Sequence, residues 1–228
     1  MPVSFPLRVS AVTIDLDGTL LDTIPDLAAA SNMMLEELGF TPLPEASIRT
    51  FVGKGIARLV ERTLEAATGE APPDGLRARA LASYERHYTA VNGKHTTIYA
   101  GVQEGLERLR DKAFPLACVT NKSERFTRPL LDRVGFTRYF EHIVSGDTLD
   151  EKKPHPAPVL HACHALGVAP EAMLVIGDSL NDAQAARAAG CPVFCVTYGY
   201  NEGHDIQSLD TDALISSLDE AVDLIEKA

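Results

Sequence analysis

Much can be set aside from what this chain does not contain. Its four cysteines, Cys118, Cys163, Cys191 and Cys195, include no C-x-x-C pair. They read as reduced, mainly buried thiols of an intracellular, cytoplasmic protein rather than as a disulfide framework. No signal-like apolar segment stands at the N-terminus, and no apolar run is long enough to suggest a membrane span. Basic residues are scarce: 21 Lys and Arg stand against 32 Asp and Glu, a net charge of -11. That balance argues against general nucleic-acid or anionic-membrane binding, while leaving room for a local positive pocket that binds an anion. Neither G-x-x-x-x-G-K-S/T nor G-x-G-x-x-G occurs, which disfavours a nucleotide triphosphatase or a dinucleotide oxidoreductase and leaves Gly53-Lys54-Gly55 without phosphate-loop spacing. The seven histidines form no tight constellation; His161 and His164, beside Cys163 on a predicted 156–166 helix, read as helical surface or packing residues rather than as a zinc site. There is no internal repeat and no low-complexity tract.

What is present points to strand ends. Val9 to Ile14 is short, rich in valine and isoleucine, and soon followed by a glycine, as expected of a buried strand in a parallel sheet. Asp15 and Asp17 follow it directly. If the strand geometry continues through Leu16, both carboxylates point the same way, and their repulsion calls for a hard, oxygen-seeking cation such as Mg²⁺. A turn in which an aspartate caps the next helix is the structural alternative for this segment alone.

Three further strand ends supply complementary groups. The run Phe114 to Thr120 closes on Thr120-Asn121-Lys122, a hydroxyl and an amide suited to a phosphate oxygen, and Ser123 is placed to cap the next helix. Lys152-Lys153-Pro154 offers cations, with the proline holding Lys153 extended. Leu174-Val175-Ile176 is an apolar strand leading into Gly177-Asp178-Ser179-Leu180-Asn181-Asp182, two acids four residues apart.

At 228 residues and 45% hydrophobic content, the chain is long enough for one main domain with a smaller insert. Ile24, Leu27, Ala28, Met34, Leu35 and Leu38 share a helical face before Gly39; Ile56, Val60 and Leu64 share a second, and Leu76, Ala80, Tyr84 and Tyr88 a third. Residues 20–98 therefore read as a helical cap with no convincing strand, inserted into a core of residues 1–19 and 99–228. The linkers are Thr19 to Thr23 and Thr96 to Gly101, and Ala66 to Asp74 is a loop within the cap. The remainder alternates. Helices at Val102 to Leu109, Phe126 to Val134, Val159 to Leu166, an alanine-rich segment, and a last helix through Leu218, Val222 and Ile225 separate strands at 114–120, 142–145, 174–176 and 193–196. This is a doubly wound α/β parallel-sheet core.

The ordered motifs D-L-D-G-T, T-N, K-P and G-D-S-x-N-D resemble those of the haloacid dehalogenase superfamily of phosphatases. Leu43-Pro44, the stretch Phe51 to Gly55, Thr120 to Lys122 and Thr197 to Asn201 further resemble the bacterial phosphoglycolate phosphatases within it. The resemblance implies that Asp15 attacks phosphorus to form an aspartyl phosphate, and that Asp17 protonates the leaving alkoxide and then activates water. It implies that Thr120 and the Asn121 backbone hold the phosphoryl group while Lys153 neutralises charge on it and on Asp15. Mg²⁺ would be held by Asp15, the Asp17 carbonyl and Asp178, with Asp182 as a ligand or support. Gly53 would help close over the substrate, and Lys54 or Arg58 would meet its carboxylate, so that substituting either changes substrate preference or KM. No catalytic role falls to Tyr198 to Asn201, whose tyrosines are expected to pack at the core surface. The implied reaction is Mg²⁺-dependent hydrolysis of a small phosphorylated substrate, 2-phosphoglycolate. A sugar-phosphate phosphatase, a phosphomutase and a phosphate-responsive binding module stand as alternatives, and oligomeric state is left open.

Overall fold

The computed structural model describes residues 4–228. The chain runs through β1 (Leu7–Val9), β2 (Ala11–Ile14), β3 (Leu21–Asp22), α1 (Ile24–Glu37), α2 (Glu45–Arg49), α3 (Ile56–Thr68), α4 (Asp74–Val91) and β4 (Thr97–Ile98). It continues through α5 (Val102–Asp111), β5 (Leu116–Val119), α6 (Glu124–Val134), β6 (His142–Val144), α7 (Ala157–Leu166), β7 (Met173–Gly177), α8 (Leu180–Ala189), β8 (Val193–Val196), β9 (Ala213–Ile215), α9 (Leu218–Asp223) and β10 (Ile225–Lys227). Among the described residues no helix is long and apolar enough to cross a membrane, and the four cysteines are free and buried.

Six strands form one parallel sheet in the order β6-β5-β2-β7-β8-β9. Strand periodicity splits its side chains between two cores. Val12, Ile14, Leu174, Ile176, Phe194 and Val196 face one cluster with Val102, Leu106 and Leu109 of α5 and Leu218 and Val222 of α9. Ala11, Met173, Val175, Val193 and Cys195 face the other with Val159 and Cys163 of α7 and the alanines of α8. Small residues on α8 let that helix lie close to the sheet. Burial of both faces explains why these strands read as continuous apolar runs.

Helices α1 to α4 gather around a separate cluster built from Leu27, Met34, Leu35, Leu59, Val60, Leu64, Tyr84 and Tyr88, into which Phe126 and Tyr200 of the core also pack. Two chain crossings join the two parts, and they pair as a short antiparallel ribbon, Leu21 with Ile98 and Asp22 with Thr97. Asp26, fully buried, accepts from the backbone N–H groups of Gly93, His95 and Thr96 and from the Thr96 hydroxyl, tying α1 to the returning chain.

Several expectations are corrected. The first apolar run is two strands: Ser10 breaks it by donating to the Ala172 carbonyl, and β1 pairs with β10 outside the main sheet. The last helix stops at Asp223 because Ile225 belongs to β10, a partnership with Leu7 that periodicity does not encode. The ribbon strands β3 and β4, the short helix α2 and the edge strand β9 carry too few residues to show a period. Ser123 precedes α6 but its side chain caps nothing; Asp147 takes the Glu124 N–H at 2.7 Å instead.

Candidate active site

β2 lies between β5 and β7 with Ile14 in register with both Cys118 and Ile176. The residues that follow these three strands therefore emerge side by side at their carboxyl ends, where ligands collect in open α/β sheets. Asp15, Asp17, Thr120, Asn121, Lys153, Asp178 and Asp182 all line one cleft there, of about 50 Å³. Predicted residues separated by more than 160 positions are brought together.

Lys153 is the electrostatic centre of the core wall. Its ammonium, 4% exposed, lies 2.9 Å from Asp15 Oδ1 and 2.7 Å from Asp182 Oδ1, and donates to the Val119 carbonyl at 2.6 Å. Burial opposes its charge, but Asp15 and Asp182 outweigh that and raise its pKa. Its backbone is clamped by Asn121, whose amide donates to the Lys153 carbonyl and whose carbonyl oxygen accepts the Lys153 N–H. Asn121 also donates to the Gly53 carbonyl of the cap at 2.9 Å. Its side chain thus positions other residues, and Thr120 keeps its hydroxyl at the cleft while accepting from the Lys122 N–H.

The carboxylates Asp15, Asp178 and Asp182 present oxygens within 4.8 Å of one another. Burial, reinforced by the Asp182 and Asp17 charges, pushes the Asp15 pKa up to about 6, against the pull of Lys153. Burial and then Asp182 and Asp15 push Asp178 well above the carboxylate range. Asp15 Oδ1 pairs in charge with Lys153 yet has no well-aligned hydrogen bond. One lysine among three acids, two of them buried and Asp15 nearly so, leaves a surplus of negative, oxygen-only donors, which suits a hard divalent cation. Asp182 is the most occupied of the three. Besides Lys153 it accepts from the Ser179 hydroxyl and N–H and from the Asp178 N–H, closing the N-terminus of α8 as a capping box.

Asp178 is held by groups from two segments. The Thr19 hydroxyl donates to it at 3.1 Å and the Tyr200 N–H at 2.6 Å. Two glycines let the chain close around it. A Cβ on Gly18 would sit 2.3 Å from Asp178 Oδ2, at a φ of +92° that side chains rarely adopt, and one on Gly199 would sit 2.1 Å from Asp178 Cβ.

Asp17 points away from that trio. It accepts from the Thr23 hydroxyl at 2.7 Å and pairs with Lys122, whose ammonium lies 3.0 and 3.2 Å from its two oxygens. Lys122 is as buried as Lys153 and also donates to the Tyr88 hydroxyl of α4 at 2.6 Å. The cap contributes Leu27, Val52, Leu59 and the backbone at Gly53 and Gly55 to the cleft.

Lys54 and Arg58 are not brought to it. Lys54 turns to Glu202 at 3.5 Å, and Arg58 pairs with Glu61 along α3. The 198–201 loop does more than pack. Tyr198 stacks on Tyr99 and donates to the Thr19 carbonyl, while the Tyr200 hydroxyl accepts from the Thr23 N–H and donates to Asp22. Sequence reasoning missed Lys122, Tyr88 and Tyr200 as parts of the site. Lys122, adjacent to Thr120-Asn121, was visible as a cation, but its burial was not.

A family model described as haloacid dehalogenase-like hydrolase matches residues 12–196. A phosphoglycolate phosphatase of Nitrosospira multiformis is 55% identical over 98% of this chain and 99% of its own, and one of Thiobacillus denitrificans is 53% identical over 99% of each. A crystal structure of a predicted phosphoglycolate phosphatase from Haemophilus somnus superposes with a TM-score of 0.90 at 31% identity, covering 94% of this chain and 96% of that one. The chain belongs to the haloacid dehalogenase-like hydrolases and, within them, to the bacterial phosphoglycolate phosphatase family.

Proposed function

We infer that this protein hydrolyses 2-phosphoglycolate to glycolate and phosphate, and the observation that carries the reading is the separation of two aspartates with different company. Asp15 lies among the carboxylate trio and Lys153, whereas Asp17, two residues on, is held apart by Thr23 and Lys122. One carboxylate is thereby free to act as nucleophile while the other handles protons. Asp15 forms a bond to phosphorus as the ester P–O bond breaks, and Asp17 delivers a proton to the departing glycolate oxygen. Asp17 then takes a proton from water, whose oxygen displaces Asp15 from phosphorus and releases phosphate. Lys153 and Thr120 receive the phosphoryl oxygens, and Asn121 keeps Lys153 in place.

Asp15 and Asp178, with the Asp17 carbonyl, are the residues that would hold Mg²⁺, supported by Asp182. The ion would offset repulsion between the phosphate and the Asp15 carboxylate. Residues 20–98 act as a cap that opens on the linkers at 19–23 and 96–101 to admit substrate. The narrow cleft and the apolar cap side chains favour a short leaving group, and the curated relatives bear the same activity in their names. A cytoplasmic setting is in keeping with four unpaired buried thiols.

The test is steady-state phosphate release with Mg²⁺ from 2-phosphoglycolate, sugar phosphates, pyrophosphate and an aryl phosphate, with D15N as control. Phosphoglycolate is expected to have the highest kcat/KM and D15N to be inactive. Faster turnover of a sugar phosphate would keep the chemistry and replace the substrate, and an active D15N enzyme would remove the covalent route.

A further inference from the structure

We propose that Lys122 reads the carboxylate of the substrate's leaving group. The assignment rests on the phosphoglycolate reading and supplies what that reading lacks, a cation for the second anionic end of the molecule.

Two lysines are the cationic side chains that line the cleft. Lys153 is committed, with its ammonium between Asp15 and Asp182 and a third contact to the Val119 carbonyl. Of the other basic side chains near the rim, Lys152 is exposed beside Gly55 without lining the cleft, and the rest are turned elsewhere. Lys54 and Arg62 face Glu202, Arg58 faces Glu61, and Arg49 donates to the Tyr198 and Gly199 carbonyls. Lys122 remains. Its side chain is 2% exposed, and it is balanced by a single carboxylate, Asp17, and a neutral phenol, Tyr88. The burial that raises the Tyr88 pKa keeps that phenol protonated.

Position makes the match specific. Asp17 must come within about 2.6–3.2 Å of the ester oxygen to hand it a proton. In phosphoglycolate the carboxylate is separated from that oxygen by one methylene. Lys122 Nζ, 3.0 Å from Asp17 Oδ1, stands where a group so close to the ester oxygen must lie. On the cap side Leu27, Val52 and Leu59 line the cleft beside the backbone at Gly53 and Gly55, and no cap cation lines it. A buried ammonium placed to meet a substrate carboxylate discriminates against an ester lacking one, because that ester forfeits a charge-assisted contact in a desolvated site.

The experiment compares kcat/KM for 2-phosphoglycolate with that for ethyl phosphate, the ester with a methyl group in place of the carboxylate, in wild type, K122M and K122Q. K122Q keeps a donor for Asp17 and Tyr88 and serves if the methionine variant does not fold. The wild-type preference for phosphoglycolate is expected to fall by about 10²-fold in either variant, and phosphoglycolate binding to D15N, followed by calorimetry, is expected to weaken when K122Q is added. If both substrates lose rate by the same factor, Lys122 acts only through Asp17 and the assignment is overturned. A wild-type enzyme that does not distinguish the two esters overturns the phosphoglycolate reading itself, and this assignment with it.

Discussion

The two walls of the cleft are built on opposite principles. The core wall concentrates charge: Asp15 and Asp178 follow adjacent parallel strands, Asp182 stands in the first turn of α8 and Lys153 in the loop after β6, and there each charge perturbs the next. The cap wall is Leu27, Val52, Leu59 and two glycine backbones, with its ionic pairs set outside the cleft. Charged groups that must act on phosphorus belong on the rigid sheet, where a small displacement is costly in rate. The cap contributes shape, which tolerates some play. Lys122 is the exception that joins the walls, since a core lysine is fastened to the cap through Tyr88.

The contrast can be broken most severely on the core side. D178N removes a carboxylate gripped by Thr19 and Tyr200, and turnover is expected to fall by at least about 10²-fold. The Mg²⁺-induced rise in melting temperature should shrink with it, and a variant that kept both would show that Asp178 is not a ligand. Next comes stability in EDTA. Because the Asp15 pKa rises from 3.8 to about 6 on folding, the native state retains a proton that the unfolded chain has released between those values. Stability from this group is therefore present at low pH and is lost as pH rises from about 4 to about 6, by about 3 kcal/mol. D15N lacks that penalty, so its advantage in melting temperature over metal-free wild type should open across this window. A gap that is constant with pH would count against the raised pKa.

Changes on the cap side should be milder. L59A removes part of the apolar lining and is expected to shift kcat/KM by about 10-fold toward bulkier esters, read with a sugar phosphate against phosphoglycolate. The smallest effect is expected from K54A or R58A. Their half-exposed ion pairs are worth about 0–1 kcal/mol, and kcat/KM for phosphoglycolate should change less than about 2-fold. A large rise in KM in either would restore these residues as carboxylate readers and weaken the case for Lys122.

Legibility followed the same division. Asp15, Thr120 and Asp178 were readable because each follows an apolar run that reads as a buried strand whose end reaches one edge of a parallel sheet, and Lys153 because a proline follows it. The cap helices were readable from their period, as with Ile56, Val60 and Leu64. Lys54 and Arg58 were expected at the substrate from the family resemblance, whereas the structure pairs them with Glu202 and Glu61, partners that nothing local in the sequence marks. Tyr200 was passed over because its backbone N–H, not its ring, supports Asp178.

By itself, the order of residues determined the longer elements, their alternation, and the types of group offered for chemistry, since these depend on local periodicity and on side-chain type. Only the tertiary structure decided which charges face one another. Lys122 and Lys153 are both lysines within a short motif, and although a proline marks Lys153, nothing local says which carboxylate either one meets. Their roles differ because one ammonium comes to rest between Asp15 and Asp182 and the other beside Asp17 and Tyr88. An interaction energy depends on distance and burial, and both are set by contacts between residues far apart in the chain.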